Sequence, residues 1–148
     1  MRMRALFVLV SVLTSASITL RAVEPVRVLV WDEQEPEQKQ AYGPKFLGET
    51  IATCLEKQPG LVVENAKFDD PDQGLSDATL DRTDALIFWC HRRVKEQDDG
   101  RAQAVVRRVL EGKLSLIALH SAHWAKPFVR LIGRDKSTNQ PHRGDCRV

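Results

Sequence analysis

The chain has 148 residues, 43% hydrophobic and 28% charged, with a formal charge of +2. That length allows one domain with a sizeable core. The basic excess sits at the N-terminus: without Arg2, Arg4 and Arg21, 19 basic residues face 20 acidic ones. The remaining arginine pairs, Arg92/Arg93 and Arg107/Arg108, lack interleaved aromatics. Nothing here points to a nucleic-acid partner, and a solvated face is expected for those pairs.

Residues 1–22 open with two arginines, and Ala5–Leu20 continues as an uncharged run of apolar and small residues. This is the pattern of a secretory signal, with Ala16 and Ala22 as candidate cleavage points. A membrane anchor is the alternative, but Ser11, Thr14, Ser15, Ser17 and Thr19 dilute a run already short for a span. Export to a periplasm or the exterior is expected, with no integral span left after signal removal.

VRVLVW (26–31) reads as a buried parallel strand. The acidic stretch DEQEPEQ after it reads as a turn, and apolar positions from 41 to 57 recur at helical spacing. LVVENAKF (61–68) is a second strand, and LSDATLDRTD carries a short helix with Ser76 as its cap. DALIFWC (84–90) is a third strand, and residues 98–111 form a helix with Gly112 past its end. LSLIALH (114–120) is a fourth strand, and 124–132 a last helix. Residues 134–148 are polar and aperiodic, the composition of a disordered tail. Cys54, Cys90 and Cys146 form no disulfide framework or zinc spacing, and Cys54 and Cys90 suit small core positions.

Apolar strands alternating with amphipathic helices imply an α/β fold, a mostly parallel sheet covered on both faces. In such sheets ligands bind at the carboxyl ends of the strands. The first strand brings Trp31, Asp32 and Glu33 to that edge, the third Trp89, Cys90 and His91, and the fourth His120, Ser121, His123 and Trp124. Individually, each histidine suits a surface or structural role; together they suggest a site. Nucleophilic hydrolysis is disfavoured, because Ser121 lacks the glycines of a nucleophile elbow. A mixed nitrogen and oxygen metal site and general acid–base chemistry with a carboxylate both use the residue types present. No particular metal or cofactor is specified. The tryptophans offer flat surfaces for sugar rings, the alternative for each being a core or rim residue under a loop.

VLVWDE (28–33), DDPDQGLSDATLDRTDALIFWCHRRVKE (69–96) and VVRRVLEGKLSLIALHSAHWAKPFVRLIG (105–133) resemble the trehalose-utilization, or ThuA-like, family. The shared pieces are Trp31 with Glu33, the turn from Asp69 to Leu75, Trp89 with His91, and Leu119 to His123. The resemblance runs from about residue 26 to 133 and implies a flavodoxin-like αβα sandwich of the class I glutamine amidotransferase type. In that type a cysteine nucleophile occupies the strand-to-helix elbow where His120 stands here. An imidazole there argues against amidotransferase activity.

The family is associated with trehalose, sucrose and their 3-keto derivatives. This implies a small-molecule carbohydrate partner, with Glu33, His91, His120 and His123 as catalytic candidates. Trp31, Asp32, Trp89, Ser121 and Trp124 are then candidates for binding the sugar. Two departures stand out: Asp32 occupies a position where asparagine is more frequent, and family members continue past the helix after the elbow. The domain at 23–133 is therefore expected to be incomplete, truncated after its fourth strand and following helix. An open sheet edge would favour homo-oligomers. A non-catalytic binding module and an inactive relative are the alternatives to an enzyme.

Overall fold

The computed structural model describes residues 24–133, except the side chains of Gln38 and Tyr42. The expected signal at 1–22 and the polar tail at 134–148 lie outside the described residues. Four strands, β1 Val26–Asp32, β2 Leu61–Lys67, β3 Ala85–Trp89 and β4 Ser115–Ala118, form one parallel sheet in the order β2-β1-β3-β4. The helices are α1 Pro36–Tyr42, α2 Leu47–Leu55, α3 Asp77–Asp81, α4 Asp99–Leu110 and α5 Lys126–Leu131. The fold is a flavodoxin-like α/β sandwich.

β1 and β3 read as continuous apolar runs because both of their faces are covered. Leu29, Trp31, Leu86 and Phe88 pack with Leu80 of α3 and Val105 of α4. Val28 and Val30 point the other way, against Ala52 and Leu55 of α2. Strand order reverses after β2. With right-handed crossovers, that reversal puts α2 on one face and α3 and α4 on the other. The topological switch point therefore lies between β1 and β3, at their carboxyl ends.

Three local expectations need correction. The helix expected within 41–57, with Pro44 at its start, begins only at Leu47, because Phe46 before it is extended (ψ 166°). α1 also occupies part of the expected acidic turn. At the other end, β4 stops at Ala118, and a 3-10 turn, His120–Trp124, precedes α5. Ala125 is extended there (ψ 137°), and Pro127 sits in the first turn of α5, where a proline is tolerated. Cys54 is exposed on α2, whereas Cys90 is buried.

α3 is too short to persist on propensity alone. Ser76 caps it, accepting from the Thr79 N–H at 3.1 Å. Arg108 of α4 holds it from the side, donating to Asp81 Oδ1 at 2.7 Å and to Asp77 Oδ1 at 2.8 Å. Arg108 is thus a buried clamp and not part of a solvated face, while Arg107 beside it is exposed. No described helix is long and apolar enough to cross a membrane.

Candidate functional site at the carboxyl edge of the sheet

The strand order makes β1, β3 and β4 consecutive neighbours, so the residues that follow them share one edge. Trp89 lies opposite Asp32 in the β1/β3 register. The Leu119 N–H donates to the Phe88 carbonyl at 3.0 Å, which carries the β3/β4 pairing to the brink of His120. Asp32, Glu33, Trp89, His91 and His120–Trp124 are in this sense brought to one region.

Their environments differ sharply. Glu33 is fully buried. Its carboxylate accepts from the backbone N–H groups of His91 (2.9 Å), Arg92 (3.0 Å) and Arg93 (2.8 Å), and from the Cys90 thiol at 3.1 Å. Burial alone would raise its pKa. The N–H groups of Arg93 and Arg92, the Cys90 thiol and the His91 N–H outweigh that and hold the carboxyl below its ordinary range. Glu33 is therefore an ionised strut that fixes the loop after β3 to the end of β1. Cys90 shares this strut: burial first, then the Glu33 carboxylate, raise its pKa and keep it a thiol.

Asp32 is also buried, at 1% exposure. Its Oδ2 accepts from the Gly48 N–H of α2 at 2.7 Å, while Oδ1 has no hydrogen-bond partner. Burial pushes its pKa up to about 6; the Gly48 bond opposes the shift, and the nearby Glu49 and Glu33 add to it. Gly48 is required for this approach, since a Cβ there would stand 2.9 Å from Asp32 Cγ and 3.0 Å from Asn65 Nδ2.

Trp31 lies within the core and offers no face to a ligand. It is 1% exposed, and its ring stacks on Phe88 at 4.2 Å with an interplanar angle of 2°. Its Nε1 donates to the Gln73 carbonyl at 2.7 Å. The cavity beside it, lined in part by Gln73, Phe88 and Gln97, has a volume of about 10 Å³, room for one water and no sugar ring. Trp89 is buried as well, at 7% exposure.

The groups open to a ligand are different ones. His91 and His120 are exposed, and Ser121, His123 and Trp124 are half-buried. Nδ1 of His123 lies 3.0 Å from the His120 carbonyl oxygen, and its ring sits 5.2 Å from that of Trp124. The backbone at His120 is relaxed. Among the described residues other than glycine, positive φ occurs at Gln34, Asp72 and Gln73. The positive-φ turn of this edge is thus the one after β1, at Gln34. Among the described residues, no three His, Cys, Asp or Glu side chains lie together so as to hold a metal ion.

Sequence reasoning passed over Gln73. Its side chain donates to the Glu96 carbonyl at 3.0 Å and accepts from the Asp98 N–H at 2.9 Å. The turn from Asp69 to Leu75 is thereby a brace between Trp31 and the loop after β3. The only local sign is Gly74, whose positive φ marks a special backbone. Neither the family models nor the curated proteins searched contain a match to this chain.

Proposed function

We propose that this chain is an exported, ThuA-like protein of carbohydrate use. Its ligand is a disaccharide such as trehalose, or a 3-keto derivative, taken at the carboxyl edge of β1, β3 and β4. His120 exchanges a proton with a sugar hydroxyl or with the carbon beside a keto group, and His91 and His123 contact the same ligand. The observation that carries this reading is the exposure of His91 and His120 after adjacent strands, with His91 on the loop whose backbone Glu33 holds. Imidazole is suited to proton exchange near neutral pH. The signal-like pattern at 1–22 supports export.

A second reading has its own support. Asp32 and Glu33 are both closed to solvent, so the end of β1 gives the imidazoles no solvent-facing carboxylate partner. A binding module would not need one. His120→Gln separates the two: it keeps a hydrogen-bonding group of similar reach but cannot exchange a proton near neutral pH. Turnover of a 3-keto-disaccharide should fall at least about a hundredfold, with sugar affinity within a few-fold. Turnover that survives the change removes His120 from the reaction. Binding without turnover in the wild type supports the module instead.

A further inference from the structure

We propose that Asp32 is a proton-operated latch at the junction of β1 and α2, held in the folded protein as a neutral acid and opposed by its own ionisation. The inference does not depend on what the edge binds. Its basis is geometric. A carboxyl at 1% exposure has one oxygen engaged by the Gly48 N–H at 2.7 Å, and the other closed off with no partner. An ionised carboxylate so placed loses its hydration at an unsatisfied oxygen, which is far costlier than burying the neutral acid.

The surroundings supply no compensating cation. Glu33 follows it just past the end of β1, and Glu49 approaches from α2; both oppose a second negative charge. From β2, Asn65 spends an amide hydrogen on the Val30 carbonyl at 2.9 Å. Lys67 is the register partner of Asp32 but forms no ion pair with it among the described residues. From β3 the opposite residue is Trp89, which is uncharged. The tight fit of Gly48 leaves the carboxyl no room to retreat on that side: the site of its missing Cβ lies 3.1 Å from Asp32 Oδ1.

The sign follows from the raised proton affinity. Between the unfolded value of 3.8 and the folded value of about 6, the native state binds more protons than the unfolded one. The contribution is fully present below 3.8 and is lost as pH rises through about 6. Across that window the folding equilibrium constant should fall by about a hundredfold relative to a variant that cannot ionise.

The test uses the full chain and its Asp32→Asn variant, unfolded in urea from pH 4 to pH 8. The variant should gain on the wild type by about a hundredfold across that range, most of it between pH 4 and pH 6. Independently, the Asp32 side-chain carboxyl ¹³C signal of the wild type should titrate near pH 6. A stability difference that stays constant with pH overturns the proposal. So does a ¹³C midpoint at or below about 4, a result that stands even if the variant does not fold.

Discussion

Replacing Glu33 by alanine should cost about 3–5 kcal/mol of stability, because three backbone donors and a thiol lose one ionised acceptor together. The thermal midpoint should fall by roughly 10 °C or more. Glutamine at this position is not a rescue. Its amide turns a donor toward backbone N–H groups that need an acceptor, so Glu33→Gln should retain only part of the loss-free state. Hydrogen exchange gives the local readout: the amides of His91, Arg92 and Arg93 should be slow in the wild type and fast in Glu33→Ala. A variant within about 1 kcal/mol of the wild type, with those amides still slow, would show that the loop after β3 is held by something else.

The second large effect is expected at Gly74, in the turn that braces Trp31. Its φ of +67° already disfavours any side chain, and a Cβ there would meet the Ala66 Cβ at 2.8 Å and the Lys67 carbonyl oxygen at 3.1 Å. Gly74→Ala should therefore lose about 1–2 kcal/mol to backbone conformation and about 1–3 kcal/mol more to overlap. Gly60→Ala is the matching control. Gly60 has φ +79° with nothing within 4 Å of its would-be Cβ, so it carries the conformational cost alone. Urea unfolding of both variants isolates the overlap as their difference. Equal losses would mean that the turn gives way freely and does not brace the sheet.

Much of this fold is legible in the chain, and the reasons are local. β1, β3 and α4 announce themselves through uninterrupted apolar runs and a helical stripe, signals that need no knowledge of partners. The start of α2 was legible near Pro44, a residue suited to a helix start, whereas α1 was not, because Pro36–Tyr42 begins inside a stretch that reads as an acidic turn. Trp31 was also partly legible. It shares a strand face with Leu29, two residues away, and that alternation points into the core. The roles of Glu33 and Gln73 were not legible. The donors to Glu33 lie 57–60 residues downstream, and no short-range pattern distinguishes a carboxylate that waits for a substrate from one that holds a loop. The same holds for Arg108, whose partners in α3 lie 27 and 31 residues before it.

At the edge itself, convergence of the strand ends followed from topology, which alternating strands and helices make readable. Which of the converging groups stay open to solvent did not. Burial divides them into struts and candidates for contact: Glu33, Cys90 and Trp31 on one side, His91, His120 and His123 on the other. That division narrows the proposed carbohydrate site to the imidazoles, Ser121 and Trp124.

The most direct test of that site follows the ring signals of His91, His120 and His123 by NMR in the full chain. Trehalose, sucrose and their 3-keto derivatives are titrated in turn. One of these sugars should shift the His91 and His120 signals together, saturably and with a common affinity. If no sugar shifts either signal, the edge of β1, β3 and β4 is not a carbohydrate site.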